Sequence, residues 1–199
     1  GAGRMATRPP TLTAAIAPVA VGTGLAIGAD VFDLLPMLAA LVGALCLQIG
    51  ANFATDVFDF KRGADTHERL GPPRVTQLGL LSQREVYAGM WMSFALAFIA
   101  GIYLVAVGGW PIVIVGLSSI LAAIIYTGGP WPIGYHALGD LFTFIFFGVI
   151  AVVGTYYVQA DGVSGRAWLA SLPMGCTFTL ILVVNNLRDI DTDRTAGKT

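Results

Sequence analysis

Two stretches of the chain carry residue types that could do chemistry. The first is Asn52-Phe-Ala-Thr-Asp56-Val-Phe-Asp59-Phe-Lys61-Arg62-Gly63-Ala-Asp65. On a helix Asn52, Asp56 and Asp59 fall at i, i+4 and i+7 and share one face. The second is Asn185-Asn186-Leu-Arg188-Asp189-Ile-Asp191-Thr-Asp193-Arg194, followed by Gly197-Lys198-Thr199. There Asn185, Asp189 and Asp193 repeat the four-residue spacing, and Asn186 is an alternative neighbour at i-3 of Asp189. Carboxylates stacked in this way repel one another and persist at a membrane helix end where they face a polar cavity or a cation. Hard oxygen ligands without thiolate or imidazole suit Mg²⁺, which takes one or two carboxylates and leaves positions for water and a phosphate. Lys61, Arg62, Arg74, Arg188 and Lys198 stand close to the acids or on the adjoining loop, and Arg suits bidentate phosphate contact. Metal plus diphosphate accounts for both signs of charge. Ordinary solvated helix ends are the plainer reading of one such cluster; two matched clusters, each with Asn on the membrane side of its acids, argue against it. Asp65 and Asp191 read either as supporting groups or as solvated charges.

The elements that must position these residues are membrane helices. Of 199 residues, 56% are hydrophobic and 12% charged, against roughly a quarter charged in a soluble domain, and the mean hydropathy is +0.76. A net charge of -1 gives no reason to expect nucleic acid as a partner. Charge-free stretches near the ~20 residues a span needs, with a break at Gly108-Gly109-Trp110-Pro111, predict six transmembrane helices near residues 11–29, 34–56, 86–107, 111–127, 139–159 and 167–188. The fold expected is an all-α polytopic bundle, because helices satisfy their own backbone in lipid. The first span is too long for a signal-peptide core and is read as retained. Arg4 and Arg8, then Lys61, Arg62, Arg69, Arg74 and Arg84, then Arg188, Arg194 and Lys198 fall on one side. That side is expected to be cytoplasmic, with both termini on it. Asp30, Asp33, Asp161 and Arg166 mark the other. The second and sixth spans then end at the same surface, so the two acidic faces are expected to meet across one cavity, as at the interface of a duplicated unit.

Other residues read more plainly. Cys46 and Cys176 lie in apolar spans without metal-type spacing and are expected to be buried small hydrophobes. His67 and His136 read as loop residues. Gly22, Gly24, Gly43, Gly50, Gly116 and Gly148 are expected to permit close helix contacts. Asp140 is expected to cap the fifth helix or to orient a substrate group.

With Arg8-Pro-Pro-Thr-Leu12, Asn52 to Asp65, Arg69-Leu-Gly-Pro-Pro-Arg74, Tyr126-Thr-Gly-Gly-Pro-Trp-Pro-Ile-Gly-Tyr135, Gly139-Asp140, Phe146-Phe-Gly148 and Asn185 to Lys198 in order, the chain resembles the UbiA superfamily of intramembrane aromatic prenyltransferases. Within it, the 1,4-dihydroxy-2-naphthoate polyprenyltransferase branch is most similar. The resemblance implies that Asn52, Asp56 and Asp59, and Asp189 and Asp193, hold Mg²⁺ bridging a diphosphate. The third acid common in the superfamily is replaced by Gly63, with Asp65 two residues on. Family members have eight or nine helices, so one domain, C-terminally incomplete, is expected.

The reaction implied is transfer of a polyprenyl group from an allylic diphosphate to 1,4-dihydroxy-2-naphthoate at the inner membrane, with loss of CO₂, giving demethylmenaquinone. Lys61, Arg62, Arg74, Asn186, Arg188 and Lys198 would bind substrate, with Tyr135. Phe53, Tyr126 and Tyr135 are candidates to face the allylic cation. Phe142, Phe144, Phe146 and Phe147 read as packing or lipid-facing residues. A different acceptor (4-hydroxybenzoate, homogentisate) stays open. A membrane cation transporter is the alternative from another class, disfavoured because its acids would stand at mid-membrane.

Overall fold

The computed structural model describes residues 1–63, 74–136 and 138–190, and among these every regular element is helical. A short helix α1 (Ala2–Thr7) and a 3₁₀ turn (Pro9–Leu12) lead into α2 (Thr13–Gly28). Then come α3 (Leu34–Lys61), α4 (Gln83–Gly108) and α5 (Trp110–Ile125). A 3₁₀ turn at Ile133–Tyr135 precedes α6 (Gly139–Thr143), which runs through a π-helical segment (Phe144–Ile150) into α7 (Ala151–Ala160). Helix α8 (Gly165–Arg188) ends the described fold.

The six expected apolar helices are present, and five are of spanning length. Five helical stretches, Met5–Gly28, Leu34–Lys61, Gln83–Gly108, Gly139–Ala160 and Gly165–Arg188, are long and apolar enough to cross a membrane. The fourth, Trp110–Ile125, has 16 residues, about 24 Å at 1.5 Å per residue, short of a bilayer core of about 30 Å. Its ends are set by Gly109, at φ 68, and by the Thr127-Gly-Gly-Pro turn, where Gly129 has φ 81. Helix starts follow local chemistry. The Asp33 carboxylate accepts from Leu35 N at 3.1 Å. Ser82 and Glu85 form a reciprocal capping box on α4, and Ser164 Oγ accepts from Ala167 N at 3.1 Å on α8. The exposed surface is rich in Trp91, Met92, Phe98, Ile99, Leu169 and Leu180, the exterior of a protein whose solvent is lipid. The chain is an integral membrane protein.

Helix α3 lies against α4 through Phe53, Val57, Met90 and Phe94, and the α1 residue Ala6 closes the same cluster. Helix α2 packs on α3, α7 and α8. Close approach is concentrated at particular glycines. A Cβ on Gly22 would sit 2.7 Å from Val152 O, and one on Gly148 would sit 2.5 Å from Gly175 Cα. Gly50 meets the Phe94 ring, whereas Gly43 makes ordinary contact with Ala100 and nothing lies within 4 Å of a Cβ on Gly24 or Gly116. Those last two face open surface, so the expectation of a packing role fails there. The Gly148 contact sits inside the π segment, where widening of the backbone brings it onto α8. Gly148→Ala should therefore destabilise the protein by about 1–3 kcal/mol, read as an earlier unfolding midpoint in mixed micelles, because backbone rather than a flexible side chain must move.

Three further expectations are corrected. Cys46 is half-buried and Cys176 exposed, so neither is a deep core residue; both occupy helix faces turned partly outward. Phe53 is packed between helices against Gly89 and faces no substrate space. Helix α3 continues to Lys61, past the expected end at residue 56, so Asp59 lies on the same helix as Asn52 and Asp56, as their spacing predicts.

Candidate active site

The last turns of α3 place Asn52, Asp56 and Asp59 on one face, as their spacing predicts, and bury all three: they are 6%, 1% and 1% exposed. Two unshielded carboxylates so buried would repel and desolvate at a cost of several kcal/mol, and the fold answers each with donors. Asp59 Oδ2 accepts from Arg74 Nη2 at 2.7 Å, and Asp59 Oδ1 accepts from the Tyr135 hydroxyl at 2.9 Å. Asp56 accepts from Val75 N and Thr76 N, both at 3.1 Å, and from the Thr76 hydroxyl. Asn52 Nδ2 donates to Thr7 O at 2.9 Å and Thr11 Oγ1 at 2.8 Å, while its Oδ1 accepts from Gln48 Nε2 at 3.4 Å. The face thus clasps three other segments: the N-terminal turn, the turn that follows Arg74, and the turn that carries Tyr135.

Arg62 extends the assembly. Its guanidinium lies 5.3 Å from the Tyr135 ring centroid and donates to Gly129 O. Burial, and then the Asp59 carboxylate, push the Tyr135 phenol well above the ordinary tyrosine range, against the opposing pull of Arg62 and Arg74, so the hydroxyl remains a donor. Tyr126, at the end of α5, packs its ring on Gly134 and its hydroxyl on Gly139. Lys61 is drawn elsewhere, with Nζ 4.8 Å from the centroid of the Tyr87 ring on α4.

The second cluster begins at the other long helix end. Asp189 caps α8, its N–H bonding Asn185 O at 3.0 Å, and its carboxylate takes a bidentate pair from Arg188 at 2.8 and 2.7 Å. Asn186 is exposed. Asp191, Asp193, Arg194 and Lys198 lie outside the described residues, as do Asp65, His67 and Arg69. Among the described residues, the structure unites Asp59, Arg74, Tyr135 and Arg62 directly, while Asp189 pairs with Arg188. The segment after α5 bonds α3 and α8: Tyr135 donates to Asp59, and Thr179 Oγ1 of α8 donates to Asp140 O at 3.3 Å.

Sequence reasoning missed the Thr76 and Thr11 hydroxyls and the Thr7 carbonyl, because a single polar group after a loop or before a span has no periodic signature. Only the nearness of Thr76 to Arg74 hinted at it. His136 is an exposed loop residue, as read, with its ring stacked on exposed Trp131 at 4.2 Å. The phenylalanines behave as read: Phe142 stacks on Phe146 at 5.6 Å and Phe147 meets Phe178 at 5.9 Å.

As a metal site, the donor set is of the right kind. Asp56 and Asp59 offer oxygen alone, and a carboxylate has about four acceptor positions, so a ligand role is compatible with the hydrogen bonds already made. No cluster of three or more His, Cys, Asp or Glu forms among the described residues, so a complete coordination sphere would draw on water, substrate and the second cluster.

Comparison with known proteins agrees in kind. The chain is 40% identical over 197 residues to a 1,4-dihydroxy-2-naphthoate octaprenyltransferase of Escherichia coli, covering 96% of this chain and 64% of that protein. It is 41% identical over 191 residues to one of Mycobacterium tuberculosis, covering 96% and 65%. It is 27% identical over 201 residues to a 2-carboxy-1,4-naphthoquinone phytyltransferase of Synechocystis, covering 97% and 62%. The chain thus spans a little under two thirds of the length of these relatives. Residues 15–199 match the UbiA prenyltransferase family from within α2 to beyond the second acidic cluster, and the chain belongs to that family.

Proposed function

We propose that this chain acts in a membrane prenyltransferase reaction that joins a polyprenyl group from an allylic diphosphate to 1,4-dihydroxy-2-naphthoate, releasing pyrophosphate and CO₂ and giving demethylmenaquinone. The observation that carries the reading is the buried pair Asp56 and Asp59, one helical turn apart at the end of an apolar helix, Asp59 held by Arg74 and Tyr135 and Asp56 by Val75 and Thr76. Bound Mg²⁺ would neutralise the charge developing on the departing diphosphate. Asp56 and Asp59, with Asn52 beside them and Asp189 and Asp193 from the second cluster, would hold that ion. Arg62, Arg74, Arg188 and Lys198, with Lys61 and Asn186 at the rim, would hold the diphosphate oxygens. The Tyr126 and Tyr135 rings offer π faces to an allylic cation. A polyprenyl tail belongs in lipid, while the polar ends of both substrates belong at the interface; a site at the helix ends serves both. The acids sit at helix termini rather than mid-membrane, which favours an enzyme over a cation path.

The test is prenyl transfer by the complete chain in membranes, using a labelled prenyl diphosphate with dihydroxynaphthoate, 4-hydroxybenzoate or homogentisate, with Mg²⁺ or with a chelator. Expected is Mg²⁺-dependent transfer to the naphthoate, reduced at least about 100-fold in Asp189→Ala with membrane insertion intact. Transfer to none of the three acceptors, or an equal rate with chelator, would overturn the reading. Transfer to another ring alone would reassign the acceptor.

A further inference from the structure

Asp140 is the only Asp, Glu, Lys or Arg between Glu85 and Asp161, and it lies at the start of the apolar stretch Gly139–Ala160. Its Oδ1 is shielded from solvent and receives no hydrogen bond from any group among the described residues. Capping does not explain it, since α6 has no side-chain cap hydrogen bond. A buried acceptor left without a donor forfeits its solvation, and a carboxylate in a membrane protein is dearer still. Its surroundings lie between Tyr126 at the end of α5 and the middle of α8. The adjacent Gly139 is in contact with the Tyr126 hydroxyl, 2.9 Å from where a Cβ would lie, and with Leu182 of α8, 3.5 Å from the same point. The backbone oxygen of Asp140 ties this junction to Thr179 of α8.

The nearby cations are committed elsewhere: Arg74 to Asp59, Arg62 to Gly129 O and Tyr135, Lys61 to Tyr87. An orphan anion beside a phenol and apolar side chains matches a neutral O–H donor. It repels a diphosphate or a substrate carboxylate, which the arginines at Asp59 would draw the other way.

We propose that Asp140 binds the acceptor, its Oδ1 accepting a hydrogen bond from a ring hydroxyl of the electron-rich aromatic substrate, next to the Tyr126 hydroxyl. This rests on the function proposed above and deepens it. A hydrogen bond to a carboxylate also shifts electron density onto the ring oxygen, and so onto the carbon that attacks the allylic cation.

The experiment uses the complete chain in membranes and compares wild type with Asp140→Asn, reading KM for each substrate separately. Expected is an acceptor KM raised about 10-fold or more with the donor KM within about twofold. Unchanged KM values, or equal rises in both, would overturn the proposal, the latter because a merely structural role moves both. In parallel, 1-hydroxy-2-naphthoate and 4-hydroxy-2-naphthoate, each lacking one hydroxyl, compete against the dihydroxy acid on wild type. One of them should compete about 10-fold more weakly than the dihydroxy acid does against itself; equal competition by both would overturn the proposal even where Asp140→Asn fails to fold. Absence of transfer by wild type would instead refute the underlying function.

Discussion

Arg74→Met is expected to destabilise the folded chain by about 3–5 kcal/mol, the cost of stranding a buried charge. The Arg74 and Asp59 side chains are 2% and 1% exposed and meet at 2.7 Å. Without the guanidinium, Asp59 keeps the Tyr135 hydroxyl but loses a charged partner at 2.7 Å while 1% exposed. The double variant Arg74→Met with Asp59→Asn should recover most of that loss, because the amide oxygen still accepts from Tyr135 and no charge is stranded. Such recovery is the coupling a double-mutant cycle isolates. Unfolding midpoints in mixed micelles give the four corners. A single variant within about 0.5 kcal/mol of wild type, the range of ordinary surface substitutions, would show that the pair is solvated in the folded protein. Neither variant should transfer prenyl groups well, so stability and turnover separate: the double variant regains the first and not the second.

Much of this was legible from residue type and spacing. Six apolar stretches interrupted by Gly109 and by the Thr127-Gly-Gly-Pro turn reappear as the helices, and the i, i+4, i+7 pattern of Asn52, Asp56 and Asp59 reappears as one buried face. Periodicity reads a helix face because that relation is local. It cannot read which distant segment the face meets. That Asn52 would hold the Thr7 and Thr11 turn, that Asp56 would anchor Thr76, or that Lys61 would lie on Tyr87 depends on how α1, α3 and α4 pack, across separations of up to 45 residues. The same limit explains Phe53: an aromatic beside an acidic motif looks like a cation-facing ring until Gly89 on α4 opens a socket for it. Asp140 was visible as an isolated acid, but that its Oδ1 meets no donor among the described residues is a three-dimensional fact.

Asp56→Asn is expected to lower prenyl transfer by about 1,000-fold, the upper range for removing one preorganised electrostatic group. Two effects would contribute, and a companion substitution separates them. Asp56 accepts from two backbone N–H groups and one hydroxyl, so it fixes the turn that brings Arg74 onto Asp59. An asparagine of the same shape turns its NH₂ toward one of those donors and breaks the clasp, and it also removes a negative charge from the proposed Mg²⁺ site. Thr76→Val removes only the hydroxyl donor, leaving both backbone bonds and the carboxylate; one neutral hydrogen bond is worth about 1 kcal/mol, so transfer should fall by no more than about 10-fold. If anchoring were the whole role of Asp56, restoring stability with a tightly bound substrate analogue during assembly would rescue Asp56→Asn. A charge role predicts no rescue, with residual turnover that no longer rises as Mg²⁺ is titrated. Parallel losses in the two variants, each with wild-type Mg²⁺ dependence, would assign Asp56 to the scaffold and leave the metal to other ligands.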